Sequence, residues 1–266
     1  MNCKNCDISL SQESDYCNSC GGKVIRNRLT IKNLFEHLSE TFFNYDNKLL
    51  RTFIDLFKKP QVVIDSYVKG VRKRYVSPIS FFGVILTLNG LNIFIISKFY
   101  KQYLDASKLI GDTDAANNEA TRKILEMTSD FSLEYASLLF SFLIPLGALI
   151  SWIVFFNKKY NYTEHVILYL YSMSVYSVLS VVFGLLTLAI IPEKYLSFAY
   201  VMYLFIFVYH CYILTKLFKL SFWQLALKVL LFLILFFITY IGVSILSVII
   251  LLLTGTVDFQ DFLPKG

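Results

Sequence analysis

The chain has 266 residues, of which 56% are hydrophobic and only 17% are charged. Because soluble domains contain about 45–50% apolar and about 25% charged residues, these proportions exclude an ordinary soluble protein. The net charge is +6, and the basic residues lie beside apolar segments. That placement favours control of membrane topology over nucleic-acid binding.

Four of the five cysteines lie near the N-terminus as two Cys-x2-Cys pairs, Cys3 with Cys6 and Cys17 with Cys20. The surrounding residues are polar, unlike the apolar core of a signal peptide, so we expect this segment to stay in the reducing cytosol. Paired cysteines there bind metals rather than form disulfides. We therefore predict a zinc ribbon over residues 1–25, which holds one structural Zn²⁺ and folds only with metal bound. A disulfide-linked tail is the alternative.

Residues 26–77 are predicted to form amphipathic helices on the cytosolic side. Apolar residues recur with helical spacing from Ile31 to Phe42 and again from Leu49 to Phe57. Neither run is long enough to cross a bilayer. We expect helices that lie on the membrane surface or pack on the helical bundle, with a small soluble hairpin as an equal alternative.

A further short helix is predicted to begin at Pro60 and to end at Gly70. Directly before the first membrane span comes a basic cluster, formed by Lys69, Arg72, Lys73 and Arg74. We expect this cluster to contact the membrane surface and the headgroups of anionic lipids.

The rest of the chain, residues 78–266, is predicted to be a five-helix transmembrane domain. A helix of about 20 apolar residues crosses the hydrocarbon layer, and five runs reach this length, at about 78–97, 135–156, 166–191, 197–215 and 222–253. The first four contain no Asp, Glu, Lys or Arg. Lys228, near the start of the fifth, can snorkel to the membrane surface. The predicted fold is an all-α polytopic membrane protein.

The loops between the spans predict the orientation of this domain. Lys158 and Lys159 follow the second span, and Lys216 and Lys219 follow the fourth, on the same side as the basic cluster. By the positive-inside rule, the N-terminus and its ribbon are cytosolic and the C-terminus is outside. The predicted location is the cytoplasmic (inner) membrane.

The external loop between the first and second spans, residues 98–134, is predicted to contain a short helix. Apolar residues between Ala116 and Phe131 fall on one helical face, and Asp112 or Asp114 could cap its start. We expect this helix to rest on the outer end of the bundle.

The spans contain no recognisable catalytic constellation, so the protein is not predicted to be an enzyme. His210 and Cys211 are neighbours on a helix, where their side chains diverge by about 100°. We expect His210 to bond to a polar group on a neighbouring helix. Asn89, Asn92 and His210 are the candidates for an intramembrane polar site. Other small and hydroxyl-bearing residues are expected to serve helix packing, and most Tyr and Phe residues to face lipid or the interface.

The order of motifs resembles a known family. The ribbon ends in Cys-Gly-Gly, and the amphipathic segments lead into a pattern that we call the Pro60–Pro78 motif, formed by Pro60, Tyr67, Gly70, Arg72, Tyr75 and Pro78. This layout resembles an uncharacterised bacterial family of membrane proteins with an N-terminal zinc ribbon. Gly22 departs from that family, in which Gln is expected after the first glycine. The five-span layout also resembles the Yip-type membrane fold, which is associated with membrane trafficking and shaping in eukaryotes.

These features predict a non-enzymatic scaffold or adaptor that presents a cytosolic zinc ribbon to a cytosolic or membrane protein. The alternative is a transporter or channel for a small solute or lipid, regulated by the ribbon, because Asn and Ser residues occur within the spans. A third interpretation is that the ribbon and the basic cluster bind anionic lipid or nucleic acid, of which lipid is favoured beside a membrane. Membrane lipids are therefore predicted partners, nucleic acid is not, and a homo-oligomer is left open.

Overall fold

A computed structural model describes residues 1–24, 48–103 and 134–253, together with Thr30 and Phe131. The chain divides into two compact units, Met1–Asn47 and Lys48–Gly266. Within the described residues the predicted all-α architecture is confirmed, since the second unit is helical and β structure is limited to two isolated bridges in the first.

In its described part, the first unit has two similar turns, each of which holds one cysteine pair. An antiparallel bridge closes each turn, Asn2 with Ser9 and Tyr16 with Lys23. The turns share a small core, formed by Cys3, Cys6, Leu10, Cys17 and Val24. Among the described residues, this core is too small to stabilise the two turns by burial alone.

In its described part, the second unit has two short helices followed by five long ones. The short helices are α1 (Lys48–Lys58) and α2 (Pro60–Val68). The long helices are α3 (Pro78–Phe99), α4 (Ala136–Val154), α5 (Tyr162–Ile190), α6 (Tyr195–Phe218) and α7 (Phe222–Leu253). All five are long and apolar enough to cross a membrane. The five predicted spans are therefore confirmed as helices.

Local sequence explains where two of the spans begin. The Ser77 Oγ accepts a hydrogen bond from the Ser80 N–H at 3.1 Å, and Pro78 occupies the first position of α3. At the start of α5, Asn161 and Glu164 form a reciprocal capping box, with bonds of 2.9 and 2.8 Å. These bonds satisfy N–H groups that the first helical turn leaves without partners.

The helix α5 is the centre of the bundle. It packs against α3, α4 and α6, and Leu168, Tyr171 and Val175 along it are fully buried. The last span, α7, contacts α4 and α6, and no residue of its apolar window is buried. An apolar helix that remains uncovered is typical of a surface that faces lipid.

The helices α1 and α2 pack on the bundle rather than form a separate hairpin. Leu56, Val63 and Ile64 are fully buried, and α2 contacts both α5 and α6. Of the alternatives for residues 49–57, packing on the helical bundle is therefore confirmed, and a separate soluble hairpin is not. The helices predicted at residues 31–42 and from residue 116 onwards lie outside the described residues.

Candidate functional site

The four N-terminal cysteines meet at one point. Their Sγ atoms all lie within 4.8 Å of one another. The Sγ atoms of Cys3 and Cys20 are 3.7 Å apart, and those of Cys6 and Cys17 are 3.6 Å apart. A disulfide needs about 2.05 Å, whereas a tetrahedral site with metal–sulfur bonds of about 2.3 Å separates its sulfurs by about 3.8 Å. The cluster is compatible with a four-thiolate metal site, and all four thiols are free.

The turns also favour the thiolate form of two of these cysteines. The side chain of Asn5, followed by the Gly22 N–H, lowers the pKa of Cys20 to about 6. The N–H groups of Cys20 and Ser19 lower the pKa of Cys17. These N–H groups thus stabilise the thiolate form, which binds metal, whereas hydrogen bonding to the neighbouring Cys20 thiol and burial raise the pKa of Cys6 to about 12.

A residue in the left-handed region follows each cysteine pair and lets the chain turn back on itself. These residues are Asp7, with φ of 56°, and Gly21, with φ of 69°. The next residue, Gly22, has a different reason to be small, because a Cβ there would lie 3.3 Å from the Cys20 Sγ. Glycine at this position therefore leaves the space beside the Cys20 Sγ open.

The helices α1 and α2 pack at one end of the bundle, which we call the basic end (residues 48–77, 155–161 and 219–221). A network of polar side chains lies at this end. The Tyr75 hydroxyl donates to Asp55 Oδ2 at 2.8 Å, and the Tyr160 hydroxyl donates to Asp65 Oδ1. Burial, reinforced by Asp55, raises the pKa of Tyr75. Burial and the bond to Asp65 likewise raise the pKa of Tyr160. Both phenols thus remain hydrogen-bond donors to a higher pH than usual.

Tyrosines of the spans complete this network. Tyr171 in α5 donates to the Val76 carbonyl at 2.8 Å. Tyr209 and Tyr212 in α6 donate to carbonyls in the last turn of α1, at 3.2 and 2.9 Å, and those carbonyls lack partners within the helix. The expectation that tyrosines face lipid holds for Tyr240, which is 61% exposed, and is wrong for Tyr171 and Tyr209, which are buried.

The Pro60–Pro78 motif fixes the segment between α2 and α3. The guanidinium carbon of Arg72 lies 3.9 Å from the centre of the Tyr67 ring. That ring in turn meets Tyr171 edge to face at 6.3 Å. Gly70 takes a φ of 91°, which ends α2 and turns the chain back. The motif residues therefore hold the basic end together.

The cluster predicted to contact lipid headgroups is exposed at the basic end and consists of Lys69, Arg72, Lys73 and Arg74. Some of these cations also have partners within the chain. Lys69 lies 3.8 Å from an Asp65 oxygen, and Arg74 lies over the Tyr75 ring at 5.4 Å. A guanidinium on an aromatic ring keeps its charge and outward donors. Headgroup contact is therefore sterically open and stays a prediction.

The three candidates for an intramembrane polar site lie on two different helices. Asn89 and Asn92 belong to α3, whereas His210 belongs to α6 and packs on the Tyr169 ring with 4.3 Å between ring centres. The His210 Nε2 and Asn92 Oδ1 atoms are buried and have no hydrogen-bond partner among the described residues. His210 is expected to bond to a polar group on a neighbouring helix, and its Nε2 atom makes no such bond among the described residues.

A buried polar pair between α4 and α5 was not foreseen. Ser151 Oγ and His165 Nδ1 are 3.0 Å apart, and both residues are fully buried. The serine partner lies on another helix, so no local pattern identifies the pair.

Comparison with known proteins gives one family. Residues 46–89 match a family described as "Protein of unknown function (DUF3667)". Over α1, α2, the Pro60–Pro78 motif and the first half of α3, the chain is similar to that family. This agrees with the resemblance to an uncharacterised family, while the ribbon and the Yip-type layout lie outside the match. No curated protein and no solved structure matches the chain.

Proposed function

We propose that this protein is a non-enzymatic membrane adaptor, whose bundle anchors a zinc ribbon that contacts a protein partner. The observation that carries the proposal is the convergence of four thiols in a unit compact in itself. Four thiolates at tetrahedral spacing favour Zn²⁺. Because such a site leaves no open position for substrate, its role is structural.

The ribbon carries apolar side chains on its surface. Ile8 is 43% exposed and Tyr16 is 59% exposed, on a unit whose described core contains only a few residues. Large apolar and aromatic side chains of this kind form the energetic centres of protein interfaces. We infer that the partner contacts this surface, and that the metal holds the two turns in place beneath it.

The polar side chains of the spans support an anchor more than a passage for polar solutes. The hydroxyls of Thr87, Thr187 and Thr239 donate to carbonyls four residues earlier in their own helices, at 3.2, 2.8 and 2.8 Å. A transport pathway instead needs polar groups directed into a shared route. The transporter alternative is therefore the weaker proposal.

The charge distribution supports the orientation within the cytoplasmic membrane. The basic end carries Lys58 and Lys59 in addition to the basic cluster and the lysines of the 155–161 loop. By the positive-inside rule this end faces the cytosol. The same orientation keeps the ribbon thiols in a reducing compartment, where they remain available to zinc, and directs the C-terminus outside.

Crosslinking in native membranes tests the adaptor. Wild type is compared with the Cys17→Ser/Cys20→Ser variant, and Cys211→Ser serves as the matched control, since Cys211 belongs to α6 and is not one of the four clustered cysteines. We expect a specific partner, identified by mass spectrometry and by reciprocal capture, in wild type and in Cys211→Ser but not in the double variant. Identical crosslinks in all three proteins would contradict the adaptor role.

A second pair of variants separates loss of the surface from loss of the metal. Ile8→Ser and Tyr16→Ser leave all four thiols in place. We expect these proteins to retain zinc and to lose the crosslinked partner. Full retention of the partner by both variants would refute contact through this surface.

A further inference from the structure

A cavity of about 540 Å³ lies among α4, α5, α6 and α7. This volume falls within the range of about 300–1,000 Å³ that is usual for ligand pockets. Its walls are almost entirely apolar, and include Leu143, Ile150, Phe207, Phe232 and Phe236. All four helices are candidate membrane spans. The cavity therefore lies within the depth of the hydrocarbon layer.

The cavity is elongated along the spans. On α7 its wall runs from Lys228 to Phe236, which is about 12 Å at 1.5 Å per residue. On α4 the wall extends to Ala136, at the opposite end of the bundle from the basic end. Wall residues such as Leu143 and Leu233 are 45% exposed, and the cavity is partly open rather than enclosed. The cavity is therefore a groove that a lipid chain can enter sideways from the bilayer.

One end of the groove carries positive charge. The Lys228 ammonium donates to the Val154 carbonyl and, at 3.1 Å, to Asn157 Oδ1. These bonds use two of the three ammonium donors. The same Nζ lies 5.5 Å from the centre of the Phe155 ring, which also lines the groove.

A second ammonium lies close to this end. Lys158 Nζ lies 3.5 Å from the Phe218 carbonyl. The ring of Phe218 is stacked on Phe155 with 5.0 Å between ring centres. Two lysines thus flank one pair of aromatic rings at the mouth of the groove.

Deeper in the groove, the wall contains an unsatisfied polar atom. His210 lines the cavity, and its Nε2 is buried without a hydrogen-bond partner among the described residues. A buried polar atom that lacks a partner is costly. Because this atom has almost no accessible surface, a ligand in the groove reaches it only if the His210 ring rotates.

We propose that this groove binds one acyl chain of an anionic phospholipid, whose phosphate contacts the Lys228 ammonium. The apolar walls and their access from the bilayer suit a hydrocarbon chain. The charge at the mouth suits a phosphate, because Lys228 has acceptors among the described residues for two of its three donors. A zwitterionic headgroup would also bring a cation toward the two lysines. This lipid site extends beyond the adaptor role and is independent of the ribbon.

Photocrosslinking of the full chain tests the site. The protein is reconstituted in phosphatidylcholine vesicles that contain a trace of phosphatidylglycerol with a diazirine in its acyl chain. Parallel arms carry the same diazirine chain on phosphatidylcholine or as a free fatty acid. We expect phosphatidylglycerol to label peptides of α4, α6 and α7 about fivefold more than phosphatidylcholine, the preference that one lysine near an anionic lipid supplies. Equal labelling by both phospholipids, or preferential labelling by the fatty acid, would overturn the proposal.

Two variants with matched controls locate the site. Lys228→Gln should lose the preference for phosphatidylglycerol, whereas Lys216→Gln, which removes an equal charge outside the groove, should keep it. Leu233→Trp fills the groove and should reduce labelling at least as strongly, whereas Leu231→Trp changes an exposed residue of the same helix outside the groove and should not. If Lys228→Gln fails to fold, the tryptophan pair still decides. Unchanged labelling in Leu233→Trp would refute the site.

Discussion

Removal of the Tyr75 hydroxyl tests the polar network that joins α1 to the bundle. The hydroxyl donates to Asp55 at 2.8 Å, and Tyr75 is 3% and Asp55 9% exposed. A hydrogen bond to a charged group contributes about 1.5–3 kcal/mol. Tyr75→Phe keeps the ring and leaves no cavity, and Asp55 retains Lys59 at 3.5 Å. We therefore expect the free energy of unfolding to fall by an amount in the lower half of that range, about 1.5–2 kcal/mol.

Titration with sodium dodecyl sulfate in mixed micelles, followed by circular dichroism of the full chain, measures this change. Tyr240→Phe is the control, because its hydroxyl is on an exposed residue and surface changes usually stay within about 0.5 kcal/mol. A double-mutant cycle with Asp55→Asn should give a coupling energy of about 0.5–3 kcal/mol, as expected for residues in contact. A Tyr75→Phe protein as stable as Tyr240→Phe, with no coupling, would refute the reasoning.

Three further predictions concern the same unit. The pKa values of Tyr75 and Tyr160 are raised above 10.0. The stability that their protonated forms contribute is therefore complete below pH 10.0 and is lost as the pH rises through the raised values. In unfolding titrations above pH 10.0, the free energy of unfolding should fall less in Tyr75→Phe/Tyr160→Phe than in wild type. Gly147→Ala should destabilise the bundle by about 1–3 kcal/mol in the same assay, because its Cβ would lie 2.5 Å from the Tyr169 ring; an unchanged midpoint would contradict this. Gly70→Ala should lower the free energy of unfolding by about 1–2 kcal/mol through the positive φ alone, since no atom lies within 4 Å of an added Cβ. An unchanged free energy of unfolding would mean that α2 ends differently.

The spans could be predicted from sequence because hydrocarbon demands a local property, an apolar run of sufficient length. The predicted span at 222–253 matches α7, Phe222–Leu253. The convergence of the cysteines was predictable for a similar reason, since each Cys-x2-Cys pair is one local turn. The identity of the metal remains a prediction that rests on the chemistry of four thiolates. The orientation of the spans in the membrane remains a prediction that rests on the distribution of Lys and Arg.

The polar network could not be predicted, because its partners are distant in sequence. Tyr160 and Asp65 are separated by 95 residues, and Tyr209 is 153 residues from the α1 carbonyl that it contacts. A tyrosine near the end of a span fits an interfacial belt and an interhelical bond equally well. Only the packed structure distinguishes an interfacial tyrosine from one that bonds to another helix. In it, the hydroxyls of Tyr209 and Tyr212 bond to carbonyls of α1.

The proposal that the N-terminal unit is a zinc ribbon is tested most directly by metal analysis and X-ray absorption at the zinc edge on the purified full-length protein. We predict about one zinc per chain, bound by four sulfurs at about 2.3 Å, and loss of this signal in Cys17→Ser/Cys20→Ser but not in Cys211→Ser. A protein without stoichiometric zinc, or with nitrogen or oxygen ligands in place of sulfur, would contradict the four-thiolate site and the adaptor role that depends on it.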